Sequence, residues 1–398
     1  MLLVRPPMTP IDSSSVPSAT TVARQFARLY GHAPSVLACA PGRVEFIGNH
    51  TDYNGGAVLG AAINRHVWVA AGPGASGRLR LASSSAGGVV TEVAADDSTR
   101  RTGSDSWVNY PLGVWHALAH FGLPRPAGCE IFVDTDLPAG AGLSSSAALE
   151  LGTALVLLRL AGGDMPGPEV LAQVARRAEN EFVGVPCGLL DQGTIAWAQP
   201  GRLVHLDCRG PVYRTVPFPA GAALRLFDTR HRHALVDGMY ARRRGECTEA
   251  ARLLGVEWLA SLTPEEFQVH SSMLSGDILL RARHVVEEQA RVVETIAALA
   301  AGDLARVGGL LTASHRSSQH CFGNTTPELD FLVDRLTSRS GVLGARLTGG
   351  GFGGAVMALV TPGFAAAAGQ EVAAEFVQAF GHAPVELSLE VSGGAGLI

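Results

Sequence analysis

The stretch Asp136-Leu137-Pro138-Ala139-Gly140-Ala141-Gly142-Leu143-Ser144-Ser145-Ser146-Ala147-Ala148 decides how this chain is read. Ahead of it Glu130-Ile131-Phe132-Val133 reads as a short strand, and behind it an apolar helix runs to about Leu160. Strand, glycine loop and helix N-terminus in that order make a site for an anion. The first-turn amides of a helix lack internal partners and point outward with the positive end of the dipole, so a phosphate there gains several hydrogen bonds. The serines add hydroxyls for phosphate oxygens or a magnesium ion. An ordinary serine-capped helix start is the plainer alternative, and the other segments of the chain decide between the two.

The chain has 398 residues, 47% hydrophobic and 17% charged, which suffices for a large core and exceeds one ordinary domain, so two domains are expected. A net charge of −5 leaves no electrostatic footprint for nucleic acid or an anionic membrane. No apolar run of about 18 residues is present, and prolines break the N-terminus (MLLVRPPMTPIDSSS) before a signal-peptide core could form. The expectation is a soluble cytoplasmic protein that binds neither nucleic acid nor membrane. Cys39, Cys129, Cys187, Cys208, Cys247 and Cys321 lack the pair spacing of a zinc site and read as reduced thiols. All 31 lysine-or-arginine positions are arginine. Without lysine, a P-loop lysine, a protein-kinase strand lysine and a Schiff-base lysine are excluded, and phosphate chemistry must use arginine, backbone amides and metal.

Along the chain, residues 1–18 are rich in Pro and Ser and read as a frayed lead-in. Helical spacing predicts helices over 20–30, 107–121 and 168–182, and strands are expected over 57–71 and 203–207. Polar clusters at 72–77 and 83–88 read as hairpin turns. From about 211, strands such as 224–227 alternate with helices over 240–254, 281–300 and 327–338. No tandem repeat is visible.

Three further segments concentrate chemistry. Pro41-Gly42-Arg43-Val44-Glu45-Phe46-Ile47-Gly48-Asn49-His50-Thr51-Asp52-Tyr53-Asn54-Gly55-Gly56 holds an arginine, two carboxylates and a histidine, too much polar chemistry for a surface loop. In Val185-Pro186-Cys187-Gly188-Leu189-Leu190-Asp191-Gln192 an acid follows two leucines, where burial is costly unless it is partnered. A helix cap beside Gly188 is the plain reading of Asp191, and a carboxylate held beside a substrate hydroxyl is the functional one. Gly344-Ala345-Arg346-Leu347-Thr348-Gly349-Gly350-Gly351-Phe352-Gly353-Gly354-Ala355 lets backbone approach a ligand closely. It lacks the upstream strand and distal acid of a dinucleotide unit, which disfavours a Rossmann reading.

Segments 41–56, 136–148 and 344–355 resemble, in order, the three signatures of the galactokinase family in the GHMP (galactokinase, homoserine kinase, mevalonate kinase, phosphomevalonate kinase) superfamily. The second matches Pro-x-x-x-Gly-Leu-Ser-Ser-Ser-Ala almost letter for letter, and the resemblance covers about residues 20–398. His50-Thr51-Asp52-Tyr53 argues against a mevalonate- or homoserine-type kinase. The resemblance implies a two-lobed α/β (α+β) fold with the active site in the inter-lobe cleft. An N-terminal domain over 19–210 and a C-terminal domain over 211–398 are expected, with the last strand, near 385–391, returning to the first lobe. The implied activity is an ATP-dependent sugar 1-kinase acting on galactose or a galactose-like sugar, with Mg²⁺ accompanying ATP, as a monomer or weak homodimer.

Residue by residue, Asp191 falls at the catalytic aspartate of the family's Cys-Gly-x-x-Asp-Gln segment, and Arg43 is expected near it and near the transferring phosphate. Asn49, His50, Asp52, Gly188 and Tyr240 match sugar-side positions. Trp107 matches an adenine-stacking tryptophan. Gly140, Gly142, Leu143, Ser144, Ser145, Ser146, Ala147, Gly350 and Gly351 match nucleotide-side positions, and Ser146 and Glu179 match positions beside Mg²⁺.

The family usually has Asn and Glu where this chain has Glu45 and Asn49, and residues 319–324 depart from its pattern as well. The family's Glu faces the end of the sugar away from C1, so Asn49 leaves two substrates open: galactose, or a C6-modified sugar such as a uronic, deoxy or extended one. Glu45 reads as structural, between the alternating Val44 and Phe46. A reading of another class, a non-catalytic sugar-and-ATP-binding sensor, predicts a damaged phosphate loop or aspartate. Here Arg43, Ser144, Ser145, Ser146 and Asp191 are all present.

Overall fold

The computed structural model describes residues 16–138, 140–210, 212–232 and 236–398. Ser18 opens the first helix (α1, Ala19–Tyr30): its side chain accepts the Thr21 amide while the Thr21 side chain reaches back, a reciprocal cap. Of the lead-in expected over 1–18, residues 1–15 therefore lie outside the described ones, and Ser18 belongs to the helix.

The next segments, Val36–Ile47 (β1) and Ala57–Pro73 (β2), are apolar along most of their length and pair antiparallel. β2 is long enough for two partners along its other edge. Arg202–Asp207 (β6) takes its first residues and Cys129–Thr135 (β5) its last. Arg78–Ser83 (β3), Thr91–Ala94 (β4), Val212–Pro217 (β7) and the terminal Gly396–Leu397 (β12) complete eight strands, in the order β12-β1-β2-β5-β3-β4 with β7 on β6. The turn at 72–77 is not a hairpin, because β5 occupies the edge of β2 there and β3 runs parallel to β5. Residues 83–88 do lie in the hairpin that joins β3 to β4.

Side-chain alternation assigns the two faces of this sheet. Val69, Ala71, Ile131 and Val133 enter the main core with Asn109–His120 (α2), Ser145–Leu160 (α3), Pro168–Arg177 (α4) and Leu190–Trp197 (α5). Ala70 and Phe132 face the other way, under Val22 and Phe26 of α1. α3 is apolar on every side and buried along most of its length, as a central helix must be. Between α4 and α5 a π-helical turn, Ala178–Val183, carries Glu179.

The second half contributes Ala223–Arg232 (β8), Val236–Leu254 (α6), Pro264–His270 (α7), Gly276–Ala301 (α8), Leu304–Ser317 (α9), Pro327–Thr337 (α10), Val342–Thr348 (β9), Gly353–Val360 (β10), Ala366–Phe380 (α11) and Val385–Leu389 (β11). The sequence pattern hides α9 behind Gly308-Gly309. A Cβ on Gly308 would lie 2.0 Å from the Leu343 carbonyl oxygen, so glycine lets this helix lie against β9. The second sheet runs β11-β8-β10-β9, antiparallel throughout. β10 is buried on both faces: Ala355, Met357 and Leu359 join the core of the first lobe, while Val356, Ala358 and Val360 pack under α10 and α11.

The two halves thus share one core. The hairpin β6–β7 straddles residue 210 and carries the first sheet on to Pro217. β11 pairs with β8 of the second sheet, and the return to the first is made beyond it, by a Val391 bridge to Ile63 and by β12 on β1. Among the described residues no helix is long and apolar enough to cross a membrane.

Candidate active site

β1 carries Arg43 to the cleft and the first turn of α5 carries Asp191 to meet it. Arg43 donates to Asp191 Oδ1 from Nε at 2.7 Å and from Nη2 at 2.5 Å, and from Nη1 to the Gly142 carbonyl at 2.7 Å. One guanidinium therefore ties the aspartate to the glycine loop. Gly42 makes the approach possible: a Cβ there would fall 2.4 Å from Leu137 Cδ2 and 2.7 Å from the Leu143 oxygen, which accepts the Arg43 amide. Ser144 adopts a left-handed backbone, φ 57°, and its hydroxyl donates to the other Asp191 oxygen, Oδ2. It does not cap α3, whose first-turn amides have no side-chain acceptor. The plain reading of this loop as a serine-capped helix start does not hold.

These groups line a cavity of about 390 Å³. Gly140, Gly142, Leu143, Ser144, Ser145 and Ser146 lie on its lining, together with Asn49, His50, Asp52, Gly188, Tyr240 and Gly350. Trp107, Ala147 and Gly351 lie outside the lining. Trp107 packs half-buried against the main core from the short helix Gly103–Val108, Ala147 is enclosed in α3, and Gly351 backs onto the Asn324 carbonyl.

Glu179 lines the cavity and accepts from Gln192 Nε2 at 2.6 Å and from the Cys187 thiol at 3.7 Å. Burial and the Asp191 charge push its carboxyl up to about 7. Behind Gln192 lies the fully buried Glu150, pushed well above the carboxylate range by burial and by Glu179. Sequence reasoning passed over Glu150 because it sits inside an otherwise apolar helix.

Asp52, also on the lining, accepts the Tyr53 amide at 2.9 Å. A Cβ on Gly188 would lie 1.6 Å from Asp52 Oδ2, so glycine alone lets the carboxylate rest there. Gly188→Ala is expected to displace Asp52 and lower kcat/KM for the sugar by about 10²-fold with the fold intact, since misplacement by about 1 Å carries a loss of that size. Steady-state kinetics with a melting curve checks this.

His50 is neutral: burial pushes it down to about 3. Its Nε2 donates to the Gly350 carbonyl at 3.0 Å, and its Nδ1 accepts from Tyr53 Oη at 2.9 Å. Both nitrogens are engaged within the protein, and the ring stacks on Phe322.

Asn49 is fully buried. Its Nδ2 donates to Glu45 Oε1 at 3.0 Å and to the Gly349 carbonyl at 2.9 Å, while its Oδ1 accepts from Asn324 Nδ2 at 2.8 Å and from Ser318 Oγ at 3.2 Å. Glu45 is paired with the fully buried Arg346 at 2.7 Å. Burial pushes the Glu45 carboxyl upward, against the pull of Arg346 and Asn49. The preceding turn hangs on α8, where Glu288 accepts the amides of Gly48 at 3.1 Å and Asn49 at 3.0 Å. Burial opposes the Glu288 charge, but Arg291 and His284 hold its carboxyl down at about 2. Glu288 escaped the sequence reading because beside Arg291 it looks like a surface ion pair.

The galactokinase galactose-binding signature matches residues 24–73, the N-terminal domain of GHMP kinases 109–199 and their C-terminal domain 295–378. The galactokinase of Chloroflexus aurantiacus is 39% identical over 350 residues, covering 86% of this chain and 88% of the relative. That of Thermotoga maritima is 37% identical over 356 residues, covering 89% and 98%. The crystal structure of Lactococcus lactis galactokinase complexed with galactose superposes with a TM-score of 0.90 at 31% identity, over 95% of this chain and 99% of that one. Mevalonate kinase, at 18% identity and a TM-score of 0.64, shares the fold. With this similarity along most of its length, and with its signature segments meeting in one cleft, the chain belongs to the galactokinase family of the GHMP kinases.

Proposed function

We propose that this enzyme transfers the γ-phosphate of ATP to the anomeric hydroxyl of galactose in the cleft around Asp191. One observation carries the reading: a carboxylate fixed on one oxygen by Arg43 and on the other by Ser144, at the mouth of an uncapped helix, in a cavity with a second carboxylate, Asp52. Phosphoryl transfer needs in-line placement, charge neutralisation and a partner for the hydroxyl proton. Asp191 accepts that proton or orients it. Arg43 offsets the charge that develops on the phosphoryl oxygens and keeps Asp191 in register with the loop. The open amides at the start of α3 bind phosphate oxygens. Asp52 accepts hydroxyls of the sugar. With ATP as donor, the enzyme works in the cytoplasm.

Mg²⁺ fits the residues present. Among the described residues no cluster of three His, Cys, Asp or Glu could hold an ion alone, which suits a cation whose octahedral shell is filled largely by phosphates and water with one or two protein oxygens. Glu179 and Ser146, both on the cavity lining, are the residues that would supply them. When bound, the ion would neutralise phosphate charge as the phosphoryl group transfers.

Galactose is favoured over a C6-modified sugar because the Asn49 amide, the one reason to expect the latter, is spent on protein partners. ADP release measured with galactose, galacturonate and 6-deoxygalactose tests this. Galactose is expected to give the highest kcat/KM, and preference for galacturonate would overturn it.

Burial, with the Glu45 charge next, pushes the Asp52 carboxyl up to about 6. Below that pH it is protonated and loses acceptor capacity, so KM for the sugar is expected to climb as pH falls through about 6. Stability runs the other way. Between about 4 and 6 the folded chain holds a proton that the unfolded chain releases, so the unliganded protein loses about 1–2 kcal/mol as pH rises across that window. Asp52→Asn is expected to flatten both dependences, read from KM and from the denaturation midpoint against pH.

A further inference from the structure

We infer that Glu45, not Asn49, is the residue of the β1 signature that hydrogen-bonds the substrate, accepting through Oε2 from a sugar hydroxyl other than the anomeric one. This rests on the sugar-kinase reading above and names a specificity residue within it. Two observations carry it. The first concerns Asn49. A side-chain amide offers two N–H donors and an oxygen with two lone pairs. All four are taken: Glu45 and Gly349 receive the donors, and Asn324 and Ser318 fill the oxygen. Nothing of this amide is left for a ligand.

The second observation concerns Glu45. Among the described residues, both side-chain hydrogen bonds to its carboxylate, from Arg346 Nη2 at 2.7 Å and Asn49 Nδ2 at 3.0 Å, go to Oε1. Oε2 takes neither, it is not one of the enclosed oxygens without a partner, and Glu45 lines the cavity. An ionised carboxylate left with one oxygen open to a cavity is a strong acceptor awaiting a donor, and a sugar presents hydroxyls.

Arg346 and Asn49 fix the orientation of this acceptor. The glycine run contributes through Gly349, and the turn at 318–324 contributes through Ser318 and Asn324. The departures at 45, 49 and 319–324 noted in the sequence therefore meet in one hydrogen-bonded unit whose product is a single outward oxygen. Asn49 is a positioning residue in it.

The test is kcat/KM for wild type, Glu45→Gln and Asn49→Ser on galactose and on its 2-, 3-, 4- and 6-deoxy forms. Glu45→Gln is expected to lose about 10- to 100-fold on galactose, the weight of a hydrogen bond to a charged group. On the one deoxy sugar that lacks the partner hydroxyl that penalty should vanish. Asn49→Ser, which acts through Glu45, should lose less on galactose, and its penalty should vanish on that same deoxy sugar and in the Glu45→Gln background. A Glu45→Gln penalty equal on all sugars, or absent on galactose, overturns the assignment, and so does an Asn49→Ser penalty that persists undiminished in the Glu45→Gln background. Should Glu45→Gln fail to fold, Glu45→Gln/Arg346→Met, which removes both buried charges, carries the same comparison. Absence of wild-type turnover on any of these sugars would instead sink the kinase reading, so the two failures are distinguishable.

Discussion

Asp191→Asn is expected to lower kcat by about 10²–10⁴-fold, the range of a positioned acid or base, while ATP binding persists. The geometry explains why so conservative a change acts so strongly. Asp191 Oδ1 is held by two Arg43 nitrogens and Oδ2 by the Ser144 hydroxyl. An asparagine that keeps its oxygen on Arg43 turns its amino group toward Ser144 and the cavity, replacing an acceptor by a donor where the sugar hydroxyl must lose its proton. Arg43 keeps its bond to the Gly142 carbonyl, so the phosphate loop stays in place. Burst kinetics and nucleotide titration separate the two effects. A loss of less than tenfold would take the proton-accepting or orienting role from Asp191.

Arg346→Met is expected to cost about 3–5 kcal/mol of stability, the range for removing one member of a buried ion pair. The guanidinium is fully buried and donates both to the Glu45 carboxylate and, from Nη1, to the Glu45 carbonyl at 2.8 Å. Without it the Glu45 charge is left in a low-dielectric core with the Asn49 amide as its remaining side-chain donor. Glu45→Gln/Arg346→Met removes both charges and should recover a large part of the loss, as a double-mutant cycle would show. The readout is the denaturant midpoint at unchanged slope. A single-variant cost below about 1 kcal/mol would match an exposed pair and contradict the burial. Because Arg346 directly precedes Leu347-Thr348 and the glycine run, the same variant should weaken galactose binding.

What could be read from the sequence was local chemistry. The serine loop announces itself because strand, glycines and helix start are contiguous, and Asp191 because an acid next to leucines demands a partner. The partner of each group lies far along the chain. Glu288 holds the amides of Gly48 and Asn49 across 240 and 239 residues, and no spacing rule links a helix acid to a turn at that distance. Glu45 illustrates the limit most plainly. As part of an alternating strand it reads as structural, and only the fold shows one of its oxygens on Arg346 and Asn49 and the residue on the cavity lining. The turn at 72–77 misleads for a related reason: local residues dictate a reversal, but which strand fills the vacated edge of β2 is settled by packing of β5.

Incubation of the wild-type protein with ATP, Mg²⁺ and galactose, followed by ³¹P and ¹H NMR of the product, tests the central claim most directly. The account predicts galactose phosphorylated on the anomeric oxygen, with one ADP formed per sugar phosphate. Phosphate on another hydroxyl, or ATP loss that does not depend on the sugar, would contradict it.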